Sequence, residues 1–221
     1  MDFAAIFQTW VKVLTQPNEQ TFESEKASPN ATLQTALIWV VGAAVVTAIL
    51  GFLQGLIFRG AAMSGMQQFL DMADLPPETA QMMEMFTSGG AGAALSGAGG
   101  FLGIILAPLF FMIGVGIFHL IAKLLGGQGQ FDKYAYLIAA FQAPISIATA
   151  VLAFVPVLGG CIGALISIYS LVLAYFATKV NYNLTSGKAI VVVILPVVVL
   201  LVGAICIGGL IASAMVAGMN G

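Results

Sequence analysis

The sequence predicts an all-α, polytopic integral membrane protein with five transmembrane helices, its N-terminus cytoplasmic and its C-terminus outside, on three observations. Five apolar stretches, at 33–58, 101–125, 135–155, 157–178 and 189–215, each meet the roughly 20 residues that a helix needs to cross ~30 Å of hydrocarbon. Hydrophobic residues make up 60% of the chain and charged residues 7%, against about a quarter charged in soluble domains. Six of the seven Lys and Arg residues fall in segments that alternate with segments holding one, which is the signature of a fixed orientation.

The charge pattern assigns the sides. Lys12 and Lys26 precede the first span, Lys123 and Lys133 flank the turn between the second and third, and Lys179 and Lys188 flank the turn between the fourth and fifth. Arg59 alone stands on the alternate side. The positive-inside rule therefore puts the N-terminus and the two Lys-flanked turns in the cytoplasm. A net charge of -2 with scattered cations offers no basic surface, so nucleic acid is not an expected partner.

The chain divides into residues 1–30, a cytoplasmic amphipathic helix with a polar linker, and residues 31–221, a single five-span membrane domain with an outer loop at 59–100. Met1-Asp2-Phe3 is acidic and the first long apolar run begins near residue 33, so no cleaved signal peptide is expected. Phe3, Ile6, Phe7, Trp10, Val11 and Leu14 recur at helical spacing up to Pro17. That helix either lies flat on the cytoplasmic leaflet with Trp10 as anchor, or packs against the bundle or a partner. From residue 18 to 30 the chain is polar without periodicity and reads as a linker. The outer loop splits into a Met-rich half with helical potential, broken at Pro76-Pro77, and a flexible Gly/Ala/Ser connector at 88–100. Its Met63, Met66, Met72, Met82, Met83 and Met85 could ligate Cu(I), but apolar faces of interfacial helices are the commoner use, and no metal is expected.

The spans are poor in side chains capable of chemistry. Their interiors lack ionisable residues; His119, Lys123 and Lys179 stand near the ends, and His119 is expected to be a packed or interfacial imidazole. A single His without HExxH or GxSxG leaves no nucleophile and base, so no catalytic residue and no cofactor is assigned. Cys161 and Cys206 read as small hydrophobes. Gly51 and Gly55, Gly99 and Gly103, Gly159 and Gly163, and Gly208 with Ala212 have small-xxx-small spacing, which supports a bundle and is compatible with a homo-oligomer. Gln54, Gln142, Ser146, Thr149, Ser167, Tyr169 and Tyr175 are expected to make interhelical hydrogen bonds or to line a polar cavity. Pro144 should kink the third span, and Pro156 with Gly159-Gly160 should force a tight outer turn that makes spans three and four a hairpin.

Several short motifs occur in order: Leu14-Thr15-Gln16-Pro17; Leu125-Gly126-Gly127-Gln128-Gly129-Gln130-Phe131 with Tyr134 and Tyr136; Phe141-Gln142-Ala143-Pro144; Phe154-Val155-Pro156-Val157-Leu158-Gly159; and Gly187-Lys188-Ala189. This arrangement resembles the Yip family of five-span membrane proteins (Ypt/Rab-interacting), in particular its prokaryotic members. For eukaryotic members the resemblance implies a cytoplasmic N-terminal region, binding of prenylated Rab-type GTPases and roles in vesicle trafficking and membrane shaping. A prokaryotic-type member would sit in the plasma membrane and have no such GTPase. The matching positions are Gly126, Gly127, Phe131, Tyr134, Pro144, Pro156, Gly159, Lys188 and Ala189, to which Gln142 is added as a candidate on its own chemistry.

Two functions compete on this reading. The first is a non-enzymatic membrane protein whose partners are the lipid bilayer, other membrane proteins or further copies of itself. The second is an uncoupled facilitator that moves lipid or a small neutral molecule along a groove near Gln142, Pro144 and Tyr169.

Overall fold

The computed structural model describes residues 3–72 and 91–219, which form helices α1 (Phe3–Thr15), α2 (Glu19–Lys26), α3 (Leu33–Met72), α4 (Ala91–Leu124), α5 (Phe131–Leu152), α6 (Pro156–Tyr182) and α7 (Ser186–Met219), with no strand among the described residues. Helices α3 to α7 each hold a window long and apolar enough to cross a membrane: Leu33–Phe58, Leu102–Leu124, Phe131–Leu152, Gly159–Tyr182 and Ser186–Cys206. The all-α, five-span architecture is thus present. At 1.5 Å per residue the 40 residues of α3 run about 60 Å, well beyond one hydrocarbon thickness. The outer loop is correspondingly shorter than expected, because α3 continues to Met72 and the Gly/Ala/Ser stretch is helical from Ala91. Helix propagation along these apolar and Ala-containing segments outweighs the cost of their glycines. Pro76-Pro77 and Met82, Met83 and Met85 lie outside the described residues.

The five long helices close a ring in the order α3, α5, α6, α7, α4, and α1 and α2 lie outside it against α5, with α2 also on α6. Buried side chains gather at one end of this ring. On α3 they stop at Ala43, on α5 at Ala143 and on α7 at Val193, while on α4 they begin at Phe111 and on α6 at Leu173. The same end carries the lysine-flanked turns, and we call it the basic end. Close helix approach is made there by alanines: Ala36, Ala135, Ala139, Ala140, Ala177, Ala189 and Ala122 are fully buried. Of the expected small-xxx-small glycines, Gly51, Gly55, Gly103, Gly163 and Gly208 do not serve this purpose within the chain, since a Cβ on any of them would meet nothing within 4 Å.

The segment expected to be a polar linker contains a helix. Asn18 is the N-cap of α2, accepting from the Thr21 N–H at 2.8 Å, with Glu19 in the first turn and Lys26 in the last, each at the favourable end of the helix dipole. Its single large apolar residue, Phe22, is completely buried and stacks on Phe176 of α6 at 6.2 Å. Helix α1 takes the second of its two expected placements and packs on the bundle: Val13 is fully buried, Trp10 meets Trp39 of α3 edge-on at 6.0 Å, and the Tyr169 hydroxyl donates to the Leu14 carbonyl at 2.6 Å. Phe7 and Val11 face outward from it, 65% and 40% exposed. A partly buried polar link fastens the pair of helices. Lys12 Nζ sits 2.8 Å from Glu25 Oε1, and the other carboxylate oxygen accepts from the Tyr136 hydroxyl of α5 at 3.3 Å.

At the opposite end, three residues separate α5 from α6. Pro156 opens α6, where its missing N–H is no loss. Gly159 donates to the Val155 carbonyl at 2.6 Å and lies so close to the end of α5 that a Cβ there would collide with the Leu152 carbonyl, whose carbon would be 2.8 Å away. At the neighbouring Gly160 a Cβ would meet nothing within 4 Å. Gly159→Ala is therefore expected to destabilise the fold by about 2 kcal/mol in detergent unfolding while Gly160→Ala leaves it unchanged. Equal midpoints for the two variants would refute the tight turn.

Candidate functional site

The basic end is built around the turn from α4 to α5. Gly126 takes a left-handed φ of +88°, its N–H bonds the Lys123 carbonyl at 3.0 Å and the Gly127 N–H bonds the Ala122 carbonyl at 2.9 Å. This is a Schellman closure, in which the two bonds satisfy carbonyls that the helix end leaves open. The chain then runs directly over the end of α6. The Gln128 N–H donates to the Tyr182 carbonyl at 3.2 Å, and Asn181 Nδ2 donates to the Gln130 carbonyl at 3.0 Å. A Cβ at Gly127 would stand 2.8 Å from Tyr182 Cβ, and one at Gly129 would overlap the Asn181 backbone oxygen and side chain. The absence of side chains at both positions is what lets the two segments touch.

Beneath the turn the first three turns of α5 lock into α4 and α6. Phe131 packs edge-on against His119 of α4 at 5.3 Å, and the Tyr134 hydroxyl shares a 2.9 Å hydrogen bond with Thr178 of α6. Tyr134 and Tyr182 rings meet at 5.0 Å, and the Tyr182 hydroxyl is hydrogen-bonded to His119 Nδ1. Tyr134, Tyr182, Thr178 and Asn181 are all at most 1% exposed. Phenol, imidazole and threonine hydroxyl are thus joined to one another, each satisfying a partner that hydrocarbon could not satisfy. The arrangement suits a rigid joint. Among the described residues no three His, Cys, Asp or Glu side chains are grouped to hold a metal ion.

Four lysines at this end are tied to acceptors. Lys179 pairs with Glu19 of α2, Lys26 donates to the Val180 carbonyl at 2.9 Å, and Lys133 donates to the Lys26 carbonyl at 3.0 Å. Lys188 stands in the first turn of α7, an unfavourable end for a cation, yet its Nζ lies 2.8 Å from the Leu125 carbonyl at the favourable C-terminal end of α4. It caps one helix from the start of another. Ala189 behind it is fully buried and continues the first turn by donating to the Thr185 carbonyl at 3.0 Å. Lys188→Gln is expected to cost about 0.5 kcal/mol, and Lys188→Arg to restore most of it; a variant series with no change in unfolding midpoint would show the cap to be idle.

With this geometry in view, the family model of the Yip1 domain matches residues 11–207. The chain belongs to the Yip1 family. The match takes in all five spans' membrane windows from Leu33 to Cys206 and the α1–α2 pair from Val11 onward. No curated protein and no solved structure gives a match. A Yip1-family chain with five such helices is an integral, multi-pass membrane protein.

Of the residues singled out from sequence, the Yip1 fold brings Gly126, Gly127, Phe131, Tyr134, Lys188 and Ala189 together at the basic end. Gln142 and Pro144 lie deeper in α5, and Pro156 and Gly159 are at the far turn. Helix α5 runs unbroken through Pro144, as α4 does through Pro108 and α7 through Pro196. Of the seven polar residues expected to bridge helices, Tyr169 does so, to α1. Ser146, Thr149 and Ser167 instead bond carbonyls of their own helices, a local alternative always within reach of a hydroxyl. Sequence reasoning missed Thr178, Asn181, Tyr182 and Glu25, and left Gly129, quoted within a motif, out of the candidate positions. The signal for some of them was present in Asn181-Tyr182-Asn183, a polar stop to a span whose Asn183 adopts the left-handed conformation, φ 51°, that Asn tolerates at a helix end.

Proposed function

We propose that this Yip1-family protein is a non-enzymatic membrane adaptor, which binds membrane-protein partners or further copies of itself and organises the bilayer around them through its basic end. Six of seven cations support a cytoplasmic placement of that end by the positive-inside rule. The observation that carries the reading is the docked α1–α2 pair. Its inner faces are locked to α3, α5 and α6, while Phe7 and Val11 are turned outward on a short helix fixed against a rigid joint. An apolar pair held in place in this way can be met by a partner helix or by lipid without any ordering cost in the chain itself.

The test uses the full chain in liposomes with photo-crosslinking side chains at positions 7 and 11, in parallel with imaging of vesicle shape. Crosslinks to a defined partner or to a second copy, lost when Phe7 and Val11 are changed to Ser, are the expected result. Liposomes of unchanged shape together with crosslinks to lipid alone would sink the proposal.

A further inference from the structure

The flank of α3 at the basic end carries a groove of about 680 Å³, a volume in the range of small-molecule sites. Among the described residues it is lined by Leu33, Gln34, Leu37, Ile38, Val41 and Gly42. Two rows of residues four apart make it. Leu33, Leu37 and Val41 are half-buried, and the first two pack on the buried core, so this wall is held from behind. Gln34, Ile38 and Gly42 form the exposed row, which falls away at Gly42, where there is no side chain and a Cβ would meet nothing within 4 Å. Beyond Gly42 the helix surface rises again, because Val45, Val46 and Ile49 protrude, 37%, 38% and 57% exposed. The step from Leu33 to Gly42 is about 14 Å along the helix axis, close to one leaflet's half of the ~30 Å hydrocarbon core.

We propose that this groove binds one acyl chain of a glycerophospholipid from the leaflet at the basic end, with the ester carbonyls at the Gln34 amide. Gln34 is the one polar residue of the described lining and stands in the first turn of the span. It is exposed and makes no hydrogen bond to a described residue, so its N–H donors are available at the depth where esters lie. The groove ends where a chain from one leaflet ends. It is also continuous with Ile49, Phe52 and Leu56, the exposed apolar surface of a membrane span, so the bilayer reaches it without rearrangement of the protein. A second copy of the chain fits less well, because a partner helix running the length of the span would ride on Val45, Val46 and Ile49 and leave the groove unfilled. No cation stands in the described lining, so the site reads the chain rather than the headgroup charge. The inference does not rest on the adaptor reading, which uses the outer face of α1.

The test is photo-labelling of the full chain in phosphatidylcholine nanodiscs with a phosphatidylcholine probe carrying a diazirine midway along one acyl chain, the adducts being mapped by mass spectrometry. Adducts concentrated at 33–42 are expected. They should fall at least fivefold in Gly42→Phe, which fills the groove, and stay unchanged in Gly51→Phe, at a second open glycine of α3 that lies outside it. At both positions a Cβ would meet nothing within 4 Å, so folding should not suffer; unchanged emission from Trp10 and Trp39 verifies this. A photo-reactive side chain at position 38 should crosslink to lipid. Adducts spread evenly along α3, labelling indifferent to Gly42→Phe, equal losses in the two glycine variants, or crosslinks from position 38 to a second copy would each overturn the assignment.

Discussion

Gly129→Ala should cost about 3 kcal/mol of stability and separate α4 and α5 from the end of α6, the largest effect expected of any single added methyl group. The added Cβ would overlap the Asn181 backbone oxygen and amide and stand 2.7 Å from the Tyr182 ring. None of these atoms can yield cheaply. Asn181 is held by its bond to the Gln130 carbonyl, and Tyr182 by Tyr134 and His119. Gly126→Ala makes the informative comparison. There the φ of +88° is strained for alanine but the nearest atom, Lys188 Nζ, is 3.9 Å away, so about 1 kcal/mol is expected. Unfolding of both variants in mixed micelles decides the matter. A Gly129→Ala midpoint no lower than that of Gly126→Ala would mean that the turn does not ride on Asn181 and Tyr182.

Lys12→Ala is expected to release the α1–α2 pair from the bundle. It leaves the Glu25 carboxylate, whose side chain is 10% exposed, with the Tyr136 hydroxyl as its remaining partner at that contact. Stranding a fully buried charge costs 3–5 kcal/mol, and the 40% exposure of Lys12 reduces this to about 2 kcal/mol here. The readout is built in, because the chain has two tryptophans and both lie in the seam: Trp10 on α1 against Trp39 on α3. Undocking should shift their emission to the red and open α1 to proteolysis. The double variant Lys12→Ala with Glu25→Gln should recover part of the loss, since no buried charge remains. Emission unchanged in Lys12→Ala would show that apolar contacts alone, from Val13 and Phe22, hold the pair in place.

Much of the membrane architecture was legible because lipid imposes a demand that composition must answer. An apolar run of helix length is sufficient to specify a span, and Leu33–Phe58, Leu102–Leu124 and Ser186–Cys206 satisfy it without help from neighbours. The turns at Gly126 and Gly159 were legible for a related reason, since glycine at the end of a helix signals a conformation or a contact that other residues resist. Helix α2 was not. Its N-cap, first-turn acid and last-turn lysine are local signals, but seven of its eight residues are polar or charged, and it is stabilised by Phe22, Glu25 and Lys26 meeting partners more than 100 residues away. Periodicity cannot register a helix whose apolar face is one residue wide. The in-span hydroxyls misled in the opposite direction, because a serine or threonine reads the same whether it bonds a neighbouring helix or its own.

By itself the sequence determined that this chain crosses a membrane with five helices, that its cations collect at alternate turns, and that its spans are free of charge in their interiors. Those properties follow from the local chemistry of each segment against lipid, and no fold is needed to state them. The tertiary structure decided which residues meet. It placed Tyr134, Thr178, Tyr182 and His119 in one joint, set Lys188 on the end of a helix other than its own, and folded the polar N-terminal segment onto α5 and α6. The physical reason is that hydrocarbon selects for apolar length without regard to order, whereas the pairing of a few polar groups, costly to leave alone in lipid, fixes how the helices stand against one another.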